Sequence, residues 1–526
     1  MSWAILLTLA ACLLILQYVR TTQKHARKAR NWGCAPLPRY PTDFLGIRTL
    51  REALKADREG TIPVLLQRRI EQVSTHEKRP VTTFLVRQMG RDSIFTCDPI
   101  NVQAMLATKF KDFELGSTRR HTLYPMFGVG IFTSDGDAWS HSRALLRPQF
   151  TREQVSDLDL EERHVQQAMR AMPVDPVTRW TPEIDIQAII LRLTIDSATE
   201  FLVGESSNSQ AEALCNGGKL PSDHFSNLFD RGQWYVAQRS RFERLHWLVD
   251  NKESRSIIRD VHAYVDKFVN AALKTAEEGK LPSANYIFLE ALVATTKDPI
   301  ELRSQLLNIL LAGRDTTASL LSWSILTLAR HPDIFQKLRE SIISDFGPYT
   351  PHRNTEKITF ATLKSSRYLQ HFLLETLRLY PSLPINRRTA TTDTFLPTGG
   401  GPNGICPVYL RAGQSVIYSP FVTHRREDIW GEDAEVFDPG RWENVRPGWE
   451  YLPFNGGPRV CLGQQFALTE VGYVLVRMLQ RFDRIEGVGE VEVEREEGYQ
   501  LNLTVMPRGG VVVRLREAGE GEGRRV

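Results

Sequence analysis

The chain has 526 residues, 42 % hydrophobic and 24 % charged, with a formal net charge of +4 from 66 Lys+Arg against 62 Asp+Glu. This composition can bury a large core, and the balanced charge argues against nucleic acid as a partner. No zinc spacing, P-loop or dinucleotide fingerprint is present, and the six scattered cysteines form no CxxC, which predicts reduced thiols rather than a disulfide framework.

The first element is "WAILLTLAACLLILQYV", uncharged from Trp3 to Val19 and followed by Arg20, Lys24, Arg27, Lys28 and Arg30. It sits near the lower limit for a spanning helix, with Trp3 and Tyr18 at its ends. It is therefore predicted as a transmembrane anchor over residues 1–20, the body facing the cytoplasm. A cleaved signal peptide would want a basic start, and none precedes Trp3. "LAAC" (Leu9–Cys12) resembles a lipoprotein site, but the apolar run continues past it. Residues 21–42, basic and ending in "PLPRYP", read as a stiff linker.

From about residue 43 the text is mostly helical. Strands are predicted near Thr82–Gln88, Ser93–Asp98, Ser415–Phe421 and Gly509–Leu515. The fold class is mainly α (α+β). A long helix is predicted from Pro299, capped by Asp298, to Arg330 before His331-Pro332. That is roughly 50 Å at 1.5 Å per residue. Apolar residues on most faces imply a buried central helix. "AGRDTT" (Ala312–Thr317) breaks the pattern at its middle. Either it marks a site, or the helix has one wet face.

In "QHFLLETLRLYP", Glu375 and Arg378 share a helix face among apolar neighbours. The pair is either buried with further hydrogen bonds or a weak surface pair. "FNGGPRVCLG" (Phe454–Gly463) then places one cysteine in a glycine-rich loop, and loop N–H groups would favour its thiolate. A covalent nucleophile, the single axial ligand of a haem and a buried structural thiol all remain open on these residues. The ending "EAGEGEGRRV" reads as a disordered tail over 517–526.

Together these motifs resemble the cytochrome P450 superfamily. "FNGGPRVCLG" is similar to its haem-binding signature FxxGxRxCxG, with every specified position filled. "AGRDTT" resembles its oxygen-activating motif, "ETLR" its ExxR motif, "FDPGRW" (Phe437–Trp442) the segment whose arginine joins that pair, and "WSHSR" (Trp139–Arg143) its WxxxR motif. All five stand in the family's order.

The resemblance implies a helix-rich single catalytic domain over 43–516 with small β-sheets, binding haem b. Cys461 would be the iron ligand, with Phe454 beside the sulfur and Gly457 and Gly463 shaping the loop. Trp139, Arg143, Arg459 and Arg388 would bind haem propionates. Glu375, Arg378 and Arg441 would form a structural triad. Asp315 and Thr316 would manage protons, and Gly313 would let the helix open over the haem. Ala312, where another hydroxylase group carries Glu, implies haem held non-covalently apart from the thiolate. Electrons would come from an NADPH-dependent reductase. The expected location is the endoplasmic reticulum membrane, with the lipid membrane and a hydrophobic small molecule as further partners.

"FNGGPRVCLGQQFALTE", "HRREDIWGEDAEVFDPGRW" and "GCAPLPRYPTDFLGI" resemble the fungal branch that hydroxylates n-alkanes and fatty acids at the chain end. The same chemistry on a polyketide- or terpenoid-like metabolite is an alternative. A non-oxygenating isomerase or dehydratase of this fold is another. Pocket candidates by position are Phe113, Met126, Phe127, Ala312, Leu383 and Pro384, with Trp234, Tyr235 and Trp247 on the lid.

Overall fold

A computed structural model describes residues 3–150, 158–279, 287–350, 357–489 and 498–519. Most of the expected tail, 520–526, lies outside the described residues, while a strand (Val512–Glu517) reaches its first residue.

Helix α1 (Trp3–Asn31) runs unbroken through the basic stretch. Its last turns dock on a hairpin (Thr394–Gly400 with Cys406–Leu410) and the residues beside it. Lys28 Nζ meets Asp393 Oδ2 at 2.5 Å, and His25 Nδ1 lies 2.7 Å from the Tyr409 hydroxyl. Among the described residues no helix is long and apolar enough to cross a membrane. The expected transmembrane anchor is corrected accordingly, and with it the lipid membrane as partner and the endoplasmic reticulum membrane as location. The physical reason is length: Trp3–Val19 reaches only about 25 Å at 1.5 Å per residue, short of the roughly 30 Å hydrocarbon core. The segment expected as a linker is also held in place. The Leu85 N–H donates to Pro38 O, the Tyr40 N–H donates to Leu85 O, and Tyr40 is buried.

A five-stranded sheet is built from β1 (Thr83–Gln88), β2 (Arg91–Thr96), β3 (Phe113–Glu114), β4 (Asn386–Ala390) and β5 (Ser415–Tyr418), in the order β1-β2-β5-β4-β3. Only the β2–β5 pairing is parallel. The sheet carries Arg388 and Tyr418 towards the middle of the molecule.

Six further helices surround the site: α2 (Gly136–Leu146), α3 (Ile186–Val203), α4 (Phe225–Phe242), α5 (Pro299–Arg330), α6 (Arg367–Leu379) and α7 (Gln464–Arg481). The central helix α5 starts as its sequence dictates. Asp298 Oδ1 accepts the Ile300 N–H at 2.9 Å, and Pro299 fills the first position, where no N–H is needed. It ends where His331 leaves helical geometry and Pro332 opens the next helix. Leu306, Leu307, Leu310, Leu320, Leu321 and Trp323 bury its flanks. The Trp323 ring stacks on Tyr380 at 4.3 Å between centroids, a contact worth about 0.5–1.5 kcal/mol beyond its area. Small sheets around a helical core are the architecture expected from the sequence.

Candidate functional site

A cavity with about 1700 Å³ of empty space, part of it open to solvent, lies between α5 and the loop leading into α7. Phe454, Val460, Cys461, Leu462 and Gly463 line one side; Ile309, Ala312, Gly313, Thr316, Thr317 and Leu320 line the other. The Cys461 N–H donates to Phe454 O at 3.0 Å, closing the loop on itself. Cys461 stands just before the N-terminus of α7, where the helix dipole favours an anion. Burial raises the thiol pKa, while the Gly463 N–H and the Arg143 guanidinium pull it back.

Gly457 does not line the cavity, yet it shapes the loop. Its φ is +66°, and a Cβ there would fall inside the van der Waals surface of Leu106 O. Gly457→Ala is therefore expected to lower stability by about 2 kcal/mol or more, from backbone strain plus the clash. Denaturant unfolding of the purified protein measures it.

Four arginines crowd one end of the cavity: Arg119, Arg143, Arg388 and Arg459. Arg459 donates to Asp135 Oδ1 at 2.7 Å and packs its guanidinium 4.4 Å from the Trp139 ring centroid. Among the described residues no carboxylate pairs with Arg119, Arg143 or Arg388, and Arg388 Nε has no hydrogen-bond partner. Burial pushes Arg119 and Arg459 down to about 10. Such a surplus of buried positive charge calls for a dianionic ligand. With a soft thiolate donor opposite an apolar wall, the residues present fit a haem and its two propionates.

On α5, the Thr316 hydroxyl donates to Ala312 O at 2.6 Å. The helix is unbroken in its range through this point, from Pro299 to Arg330. Gly313 faces empty space: apart from its chain neighbours and the adjacent backbone of its own helix, no atom lies within 4 Å of where a Cβ would stand. Asp315 does not line the cavity. It is buried and accepts from Arg314 Nη1 at 3.0 Å. The same Nη1 donates to Asp230 of α4. Burial pushes the Asp315 carboxyl up to about 6, against the pull of Arg314.

Behind the cysteine loop, Glu375 and Arg378 have no accessible side-chain surface. Arg378 Nε donates to Glu375 Oε2 at 2.9 Å and Nη2 to Oε1 at 2.8 Å. Arg441 approaches Glu375 at 3.6 Å as an ion pair only. Its hydrogen bonds go to Asp433 and to Trp430 O. The bonds that complete Glu375 come from Trp442 Nε1 and the Asp438 N–H, both at 2.9 Å.

Of the residues singled out by sequence, the cavity gathers Trp139, Arg143, Ala312, Thr316, Leu383, Arg388, Phe454, Arg459, Cys461 and Gly463. It does not include Phe113, Met126, Phe127 or Pro384. Phe113 packs with Met105 and Leu106, while Met126 and Phe127 belong to the core around Phe229. The Pro384 carbonyl accepts from the Ser419 hydroxyl. Tyr235 is buried, and Trp234 and Trp247 are exposed. Arg119, Phe132, Phe201, Tyr418 and Glu470 also line the cavity and carry no motif that announces them.

A family model described as Cytochrome P450 matches residues 61–509. The chain is 48 % identical over 516 residues to Cytochrome P450 monooxygenase g430 of Fusarium sp., covering 95 % of this chain and 88 % of that protein. It is 43 % identical over 518 residues to Cytochrome P450 monooxygenase alt2 of Alternaria solani, covering 94 % of each. It is 41 % identical over 525 residues to Cytochrome P450 52A6 of Candida tropicalis, covering 98 % of this chain and 97 % of that protein.

Proposed function

The chain belongs to the cytochrome P450 family, and on that premise we propose that it inserts one oxygen atom from O2 at or near the end of an n-alkane or fatty-acid chain. The monooxygenase activity and the haem b cofactor come with the family; the substrate and the residue roles are the proposal. The observation that carries the substrate class is the cavity wall opposite Cys461. Ile309, Ala312, Gly313 and Leu320 offer no hydrogen-bonding side chain there, and the hydroxyls of Thr316 and Thr317 are already engaged, on Ala312 O and on the Glu470 carboxyl. A substrate held on that wall is held by apolar area, about 25 cal/mol per Å², and the small Ala312–Gly313 step admits a narrow chain end.

When bound, the haem supplies oxygen activation, which its thiolate ligand promotes by pushing electron density towards the iron. Cys461 is the residue to hold it, and the Gly463 N–H and Arg143 favour the thiolate form. Arg119, Arg143, Arg388 and Arg459 would orient it through the propionates. Thr316 Oγ1 holds a proton at the cavity wall, in its bond to Ala312 O. Asp315, titrating near 6, can give up and regain a proton close to neutral pH, as a general acid must. Arg314 keeps it charged enough to be refilled and ties it to the partly exposed Asp230.

Thr316→Ala removes the only hydroxyl on the Ala312–Thr316 turn. Product formed per NADPH consumed is expected to fall by about a hundredfold, the low end of the worth of a positioned proton donor. Parallel assays of NADPH loss and product check it, and unchanged coupling removes the proton role.

The substrate test is product mass. The protein, a fungal NADPH-dependent reductase and NADPH are incubated with a panel of alkanes and fatty acids. A one-oxygen gain at the chain end is the expected result. No product, with an intact thiolate–haem spectrum under carbon monoxide, overturns the lipid reading and leaves a dedicated secondary metabolite as substrate.

A further inference from the structure

His424 has no accessible surface. It follows the short helix Pro420–Thr423 and lies between α6 and the segment that enters the cysteine loop. Its Nδ1 is 3.0 Å from Arg378 O, and the Leu452 N–H points at its Nε2 from 2.9 Å. A backbone carbonyl can only accept and a backbone N–H can only donate. The two contacts therefore admit one form of the ring, neutral, with its proton on Nδ1. A second proton, on Nε2, would set N–H against N–H. Burial, with Arg378 and Arg425 nearby, pushes the imidazole down to about 3, which agrees with that form.

Each partner of the ring leads to the site. Arg378 belongs to the buried ion pair on α6, and its Nη1 donates back to His424 O at 2.8 Å. Leu452, Pro453 and Phe454 line the cavity in succession. Phe454 O accepts the Cys461 N–H. One path of hydrogen bonds thus runs from Arg378 O through the imidazole to Leu452, and two residues later to the carbonyl that holds the cysteine. The ring itself is fixed from the side by Tyr451, at 5.1 Å between centroids, and Tyr451 donates its hydroxyl to Leu374 O on the same helix.

We propose that His424 is a positioning residue for the haem ligand: a neutral imidazole, protonated on Nδ1, that bridges Arg378 O and the Leu452 N–H and so sets the Cys461 loop against α6. The role rests on Cys461 being the ligand. It explains why an imidazole is tolerated with no catalytic partner in a fully buried place. Two backbone groups would otherwise lack a partner, and only a side chain with a donor at one end and an acceptor at the other serves both. A primary amide also has one of each. Phenylalanine keeps the ring shape and has neither.

The test compares full-length holoprotein carrying His424→Phe and His424→Gln with the unaltered chain. The readout is the decay of the thiolate–haem band, reduced under carbon monoxide, on mild warming. The Phe variant is expected to lose the band roughly fivefold or more faster, the factor that corresponds to about 1 kcal/mol of lost hydrogen bonding. The Gln variant is expected to recover most of that loss. A Phe variant as stable as the unaltered chain overturns the inference, as does a Gln variant no better than Phe, which would show that ring shape alone matters. If the Phe variant does not accumulate, the Gln variant decides alone: a band at nine-tenths or more of the unaltered protein supports the bridge, and its loss overturns it. Absence of the thiolate band in the unaltered protein would instead remove the ligand assignment for Cys461.

Discussion

Cys461→Ala is expected to abolish the thiolate–haem band under carbon monoxide and to reduce oxygenation to background. Among the described residues no other cysteine is placed to take over from the sulfur. The other described cysteines are Cys12, Cys34, Cys97, Cys215 and Cys406, and none lines the cavity. Cys97, the buried one, is pushed up to about 12 by burial, so it stays a thiol at neutral pH. The four arginines would still attract the propionates, so some haem is expected to remain without a thiolate ligand. Absorption spectroscopy of the purified variant separates the two effects, since haem content and the thiolate band are read independently. A normal thiolate band in this variant would remove Cys461 from the site.

The second large effect is expected from Arg378→Met. All five N–H donors of this guanidinium are used: two on Glu375, and one each on His424 O, Ala434 O and Val436 O. Removing it leaves the Glu375 carboxylate buried, with only Trp442, the Asp438 N–H and the more distant Arg441 to compensate. Breaking one side of a buried pair costs about 3–5 kcal/mol, a large share of the roughly 5–15 kcal/mol that holds a domain together. Little folded holoprotein is expected to accumulate. Glu375→Leu combined with Arg378→Met should lose less than the sum of the single changes, because the orphaned charge is gone. Denaturant unfolding of the three variants checks this, and a single Arg378 variant within about 1 kcal/mol of the unaltered chain would contradict it.

What was legible in the sequence was whatever rests on local rules. The central helix could be bounded residue by residue because Asp298, Pro299 and Pro332 punctuate it chemically. The apolar residues around Glu375 and Arg378 on one helix left a buried pair and a surface pair both open, and the fold decides for burial. The loop at Cys461 stood out because its glycines break every regular pattern. The cavity wall was harder. Place in the chain points to Phe113, Met126, Phe127 and Pro384, but which way a side chain turns is decided by packing against distant elements. Phe127, for example, turns to Phe229 on α4, edge to face at 6.5 Å between centroids. Arg119 stands beside Arg120 in the sequence, and only the fold selects the first for the cavity. Trp442 and His424 hold Glu375 and Leu452 through contacts that link residues 67 and 28 positions apart, beyond any local pattern. The N-terminal run failed for another reason. Its apolar composition is read by eye as a span, while its length stops short of a bilayer.

The measurement that bears most directly on the function is isotope incorporation from labelled O2. The protein, reductase and NADPH would turn over a long-chain fatty acid or alkane under 18O2, and the product would be weighed. One labelled oxygen atom at the chain end, lost with Cys461→Ala, is the result predicted. Product oxygen drawn from water, or NADPH consumed with no labelled product from any chain length, would contradict oxygen insertion into a lipid chain.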